Sequence, residues 1–180
     1  MKKTKPLLTL VFILIGLTSF GQTDFKWDVK AESLDKNKSE LYSQSKLFIS
    51  ETWNSAKDVI QNDDKDAGII LIKGLSIQNL YYQMNDHKWT FSYTIKFLMK
   101  DDRCRVIIEN IYCSAARTGQ YEWPKMPVSD IYPSKKGLRI TGVNEKRYLK
   151  VMTSLKQDLQ SIVDSYIDYV KKPLVDDSDW

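Results

Sequence analysis

Trp89–Cys113 reads WTFSYTIKFLMKDDRCRVIIENIYC, and its large apolar side chains fall at every second position. Trp89, Phe91, Tyr93, Ile95, Phe97 and Met99 alternate with Thr90, Ser92, Thr94, Lys96 and Leu98. A period of two marks a strand with one buried face. Asp101-Asp102 interrupts the run and the alternation resumes at Cys104, so the segment predicts a hairpin with a two-residue turn. That turn sets a register. It pairs Phe97 with Val106, Ile95 with Ile108 and Phe91 with Tyr112 on an apolar face. The opposite face pairs Lys96 with Ile107, Thr94 with Glu109 and Leu98 with Arg105. One apolar and one mixed face suit an antiparallel sheet covered on one side.

Working outward, Phe25, Trp27 and Val29 alternate with charged residues and predict a first strand. Asn37 followed by Glu40 fits a capping box. Leu41, Ser45, Phe48, Ile49, Thr52, Trp53 and Ala56 then recur at helical spacing, predicting a helix that ends near Lys57. Val59-Ile60 begins a second strand and Ile69–Ile77 is a third, leading to a turn around Asn85–Lys88. After the hairpin, residues 114–137 form a long connection carrying Pro124, Pro127 and Pro133 among Tyr121, Trp123 and Tyr132. A long helix runs from about Glu145 to Lys171, with Asn144 as N-cap. Its apolar stripe is Tyr148, Met152, Leu155, Leu159, Ile162, Val163, Tyr166 and Val170. Pro173 stops it, and residues 173–180 are expected to be a flexible acidic tail.

The predicted order is therefore β-α-β-β-β-β-α. A single antiparallel sheet with two helices on one face, an α+β architecture, buries both helical stripes at once. The sheet's other face then stays open, and on the hairpin it carries Lys96, Leu98, Arg105, Ile107, Glu109 and Ile111.

Several short pieces of this pattern resemble a family of exported bacterial proteins known only as a domain of unknown function with a TBP-like fold. They are Leu41-Tyr42 with Trp53, Val59-Ile60-Gln61-Asn62-Asp63-Asp64, Ala67-Gly68, Lys73-Gly74, Tyr93-Thr94-Ile95-Lys96 and Lys100-Asp101-Asp102-Arg103-Cys104-Arg105. The resemblance spans roughly Asn37 to Ile111. It implies a fold and an extracytoplasmic location, and no activity.

The N-terminus points to the same location. Lys2, Lys3 and Lys5 precede an apolar run from Leu7 to Leu17, and Ser19-Phe20-Gly21 places small residues where a signal peptidase reads. These are the three parts of a secretory signal peptide. Residues 1–21 are expected to be removed, leaving Gln22 first in a single domain, 22–172, that is periplasmic or secreted. The apolar run is shorter than the roughly 20 residues of a membrane span, so none is expected after cleavage. The chain carries 27 Lys and Arg against 23 Asp and Glu, a net +4. Three lysines leave with the signal, so the mature chain is near +1 and lacks the positive charge that nucleic-acid binding draws on.

The candidate sites are few. "DVIQNDDKDAGIILIKG", Asp58–Gly74, invites a calcium reading, which wants alternating carboxylates, glycine sixth and an acidic twelfth. Counting from Asn62, the sixth residue is Ala67 and the twelfth Lys73, so the stretch reads as a chain reversal. His87 is the sole histidine and lies in a polar stretch, which leaves no histidine cluster for a metal. Cys104 and Cys113 sit nine residues apart in one strand, at about 3.3 Å per residue and with opposite facing, so they should not pair. Cys104 belongs to the core face and Cys113 to the other. The aromatic connection 114–137 either caps the core or binds a partner. No catalytic residue, cofactor or metal ligand is expected.

The expected function is an exported, non-catalytic binding or interaction module of the bacterial cell envelope. Its partner is a protein or another envelope component, with a homodimer through the open sheet face as one form. The alternatives are a hydrolase or isomerase using carboxylates such as Asp63, Asp64 or Glu109, and an inhibitor or assembly factor presenting its sheet.

Overall fold

The computed structural model describes residues 25–82, 85–117, 125–131 and 145–173. The signal-like segment, the proposed cap Asn144, residues 174–180 and most of the aromatic connection lie outside them. In chain order the elements are β1 (Trp27–Glu32), α1 (Lys38–Thr52), α2 (Ala56–Val59), β2 (Ile60–Asp64), β3 (Ile69–Tyr82) and β4 (Asn85–Lys100). They continue with β5 (Arg103–Arg117), β6 (Met126–Pro127), α3 (Val128–Ile131) and α4 (Glu145–Lys171). The strands form one antiparallel six-stranded sheet in the order β1-β5-β4-β3-β2, with β6 also paired to β5.

The β4–β5 hairpin forms the centre of this sheet, and its lower half has the expected register. Phe97 faces Val106, Ile95 faces Ile108 and Lys100 faces Arg103 across Asp101-Asp102. Beyond Thr94 the register shifts by one residue, so Phe91 faces Cys113 rather than Tyr112. The cause is an extra residue in β5 at Asn110, which takes a left-handed φ of 56°. Everything past this bulge changes face. Ile111, expected on the open face, is 6% exposed and belongs to the core; Cys113, expected outside, is 3% exposed.

Both long helices cover the inner face. Leu41, Phe48 and Ile49 of α1 and Leu155, Leu159, Val163 and Tyr166 of α4 share one core with Ile70, Ile72, Phe91, Ile95, Phe97, Val106 and Ile108. Phe97 lies where the helices meet, with its ring centroid 4.6 Å from Tyr166 and 6.2 Å from Phe48. Trp53 packs edge-on against Phe48. Asn37 and Glu40 form the capping box. Helix α1 stops earlier than its stripe suggests. Trp53 turns extended at φ −114°, ψ 129° and the separate turn α2 follows.

Two further boundaries differ from the sequence reading. Asn85–Lys88 is strand rather than turn, because Tyr82 already pairs with Asn85 and only residues 83–84 intervene. The long connection contributes β6, which pairs β5 at Tyr112 and Cys113, and the helical turn α3 that follows it.

Candidate functional site

The face of the sheet turned away from the helices is the candidate site. On β4 and β5 it carries Lys96, Leu98, Arg105, Ile107 and Glu109 in facing pairs. Ile111 is not part of it, for the reason given by the bulge. Missing from the sequence reading were the flanking strands. The structure adds Asp28 and Lys30 on β1, opposite Ile107 and Arg105. It also adds Ile69, Leu71, Lys73, Leu75 and Ile77 on β3, facing Leu98, Lys96, Thr94, Ser92 and Thr90 of β4.

The face divides into two halves of different chemistry. Across β1, β5 and β4 the charges are mostly tied to each other. Arg105 donates from Nε to Asp28 Oδ1 at 2.6 Å and from its terminal nitrogen to Asp28 Oδ2. Those hydrogen bonds hold the Asp28 carboxyl below its ordinary range. Lys96 donates to Glu109, and Lys26 lies 3.9 Å from the same carboxylate. Toward β3 the face turns apolar, with Leu75 66% and Ile77 50% exposed. Strand β2 pairs β3 only as far as Ile72. From Lys73 onward β3 is therefore an edge among the described residues, with backbone groups open to another strand.

Gly74 shapes this edge from below. The Tyr93 ring lies over it so closely that a Cβ there would stand 2.1 Å from Cε2. Tyr93 is buried, and its loss of solvation pushes its hydroxyl up to about 12. Ser76 and Gln78 then bind the α4 carboxylate Asp158 at 2.8 Å and 2.6 Å, tying β3 to that helix.

The carboxylates considered for catalysis do not converge. Asp63 on β2 accepts from the Tyr42 hydroxyl and the Lys46 ammonium. Burial pushes its carboxyl up, but those donors outweigh it and the net shift is downward. Glu109 lies on β5, separated from β2 by two whole strands, or about 14 Å at the usual strand spacing. Asp64 serves the acidic turn: its Oδ1 accepts from Ala67 N at 2.8 Å. Gly68 follows at φ +66°, and its carbonyl accepts from Met99 N at 2.8 Å. A Cβ at Gly68 would stand 2.5 Å from the Met99 carbonyl. The stretch that opened the calcium question is a chain reversal pinned to β4.

The remaining candidates are distributed elsewhere. His87 lies in β4, its backbone paired with Leu80 and Arg117, not in a turn. Both thiols are free and buried on the core side. Burial pushes Cys113 up to about 12 and Cys104 upward too, so neither is a ready thiolate. Their distance along one strand, not opposite facing, keeps them apart. No group of three His, Cys, Asp or Glu side chains suited to a metal occurs among the described residues. No described helix is long and apolar enough to cross a membrane.

The comparisons agree with this architecture. A TBP-like protein from Parabacteroides distasonis has a crystal structure that superposes with a TM-score of 0.63 at 12% identity, covering 82% of this chain and 92% of that one. A second crystal structure, of a DUF4468 family protein from Bacteroides ovatus, gives 0.57 at 14% identity and covers 79% and 85%. At such identities the likeness is one of fold. No curated protein matches the chain. The family profile matches residues 25–114, which holds β1 through most of β5, and the chain thus belongs to the DUF4468 family, the domain of unknown function with a TBP-like fold.

Proposed function

We propose that this protein is an exported, non-catalytic binding module of the bacterial cell envelope, which presents to another protein the face of its sheet that the described helices leave uncovered. One observation carries the reading. Leu75 and Ile77 are more than half and half exposed, two residues apart on a strand edge, and beyond Lys73 the same face carries Leu71, Leu98 and Ile107. Exposed apolar side chains on a strand edge, with further apolar residues and charges of both signs on the same face, are the kind of surface that binds a partner. The signal-like N-terminus supports an envelope location. The carboxylates of the hydrolase or isomerase alternative are engaged singly in ion pairs or turns, which supports a non-catalytic role.

The test compares the mature protein with its Leu75→Glu, Ile77→Glu variant in cross-linked capture from envelope extracts and in sedimentation. A partner, or a second copy, retained by the native protein and lost by the variant is the expected result. Equal capture and equal sedimentation by both proteins would remove this face from consideration.

A further inference from the structure

Past Lys73, strand β3 offers its backbone as well as its side chains. In an antiparallel ladder the N–H and C=O of one residue point the same way, and the direction alternates along the strand. Met99 N donates to the Gly68 carbonyl, which turns the odd-numbered residues of β4 toward β3. Tyr93, Phe91 and Trp89 therefore take up Gly74, Ser76 and Gln78. Leu75, Ile77 and Asn79 point their N–H and C=O outward, past the end of β2, where no described residue bonds them. Native edges are commonly blunted by charge, proline or a bulge. This one carries Lys73 at its start and then exposes two large apolar side chains, Leu75 and Ile77.

The helix side of the same edge is hollow. An open trough of about 620 Å³ runs between β3 and α4, lined by Ser76, Tyr93, Gln157, Asp158, Ser161 and Ile162. Asp158 is the charged residue in that lining. Its Oδ2 accepts from Ser76 Oγ at 2.8 Å and from Gln78 Nε2 at 2.6 Å, while its Oδ1 accepts from none of the described residues. Nor does Asp158 join an ion pair among them. Lys73 and Lys88 stand on the other face of the sheet, alternating with the core-side Gly74 and Trp89. On α4, Lys156 lies over the Phe25 ring at 5.0 Å, and Lys150 and Arg147 are about 12 Å and 16 Å up the axis.

We propose that an extended segment of a partner protein adds to β3 as an antiparallel seventh strand, with a lysine or arginine on its helix side that meets Asp158. The segment bonds the backbone of Leu75, Ile77 and Asn79. Main-chain bonds of this kind supply affinity, and the alternating side chains supply selectivity. Apolar residues on either side of the cation lie next to Leu75 and Ile77 on the open face. A second copy of this chain fits less well. Pairing β3 with itself brings two Asp158 carboxylates into one trough and only Gly74, Ser76 and Gln78 on the helix side, with no cation between them. The inference rests on the binding-face reading and names the mode of binding and the chemistry of the partner.

The experiment uses the mature protein and three capped, fluorescein-labelled peptides. They are SVSVKVSVS, its counterpart with glutamate for lysine, and the lysine peptide N-methylated at the two valines beside the lysine, whose N–H groups would face β3. Binding is read by anisotropy and backbone amide exchange by NMR. The lysine peptide should bind at least about tenfold more tightly than the glutamate peptide, as a charge-assisted contact implies. The methylated peptide should not bind. Amides of Leu75, Ile77 and Asn79 should exchange freely in the free protein and become protected with the lysine peptide, while those of Gly74, Ser76 and Gln78 stay protected throughout. Asp158→Asn should bring the lysine and glutamate peptides level; if that variant loosens β3, the exchange pattern of the native protein decides in its place. Equal binding of the two peptides by the native protein, no binding at millimolar peptide, or outward amides already protected in the free protein overturns the inference. Protection that rises with protein concentration alone gives the edge to a second copy and overturns it too. Capture lost with Leu75→Glu, Ile77→Glu would, in any of these events, leave the proposed function standing. Strand addition without such capture supports the inference and leaves the proposed function without its partner.

Discussion

Asp101 and Asp102 show how much one turn can carry. Asp101 Oδ1 accepts from Lys38 N at 2.8 Å, satisfying an amide in the first turn of α1 that has no partner within the helix. Asp102 takes φ 63°, accepts from Asp35 N at 2.8 Å through its carboxylate, and bonds the loop through its own amide as well. Glycine would relieve the backbone there but would supply no carboxylate. Asp102→Ala is expected to cost about 1–2 kcal/mol in chemical denaturation, from a lost hydrogen bond and a left-handed alanine. Asp102→Gly should fall between alanine and the native protein. A glycine variant as stable as native would show the carboxylate to be idle. Asp63 gives the pH counterpart. Its carboxyl is held low, so its contribution is complete above its unfolded value near 4 and is lost as pH falls through its folded value. Its side chain is 35% exposed, which screens the pair, so Asp63→Asn should cost only about 0.5–1 kcal/mol at pH 7. That gap should close on acidification toward pH 3, as followed by melting temperature. A gap that stays constant with pH would deny the linkage. Neither role is visible in the sequence, where Asp102 reads as a turn former and Asp63 as part of an acidic chain reversal or a carboxylate of the enzyme alternative.

At the scale of elements, legibility followed periodicity. The hairpin could be read because large side chains mark its buried face at every second residue down to Trp89. The third strand hid its two faces, because Gly74 and Ser76 occupy core positions while Leu75 and Ile77 point outward. Its apolar run therefore looked uniformly buried, and the most exposed part of the candidate site went unread. The bulge at Asn110 was equally silent, since left-handed backbone at a non-glycine residue leaves no pattern in a strand. It moved Ile111 and Cys113 to the core. Helix α1 was overrun for the opposite reason: Trp53 and Ala56 keep helical spacing although the backbone has already turned extended. The glycine under Tyr93 allows a direct check of the β3 geometry. Gly74→Ala should cost about 1–3 kcal/mol by thermal or urea unfolding, because the ring it would meet is buried and cannot swing aside. A neutral substitution would mean that the ring does not lie over this position.

For the whole molecule, the central proposal is that α1 and α4 seal one face of the sheet and that the face the described helices leave uncovered meets a partner. Fold class and the five hairpin residues of that face could be read from sequence; the β1 and β3 contributions needed the strand order. Lys96 and Arg105 are poor probes of the claim, because each is tied to a neighbouring carboxylate and reversal would disturb the sheet. Apolar side chains report more cleanly. The most direct measurement is methyl NMR of Ile- and Leu-labelled mature protein, titrated with the partner recovered by capture or concentrated to drive self-association. Methyl signals of Leu71, Leu75, Ile77, Leu98 and Ile107 should shift or broaden together, while core methyls of Ile72, Ile95 and Ile108 hold still. Perturbation confined to Leu47 and Leu149, the exposed leucines on the outer sides of α1 and α4, would place the partner on the helices and contradict the account.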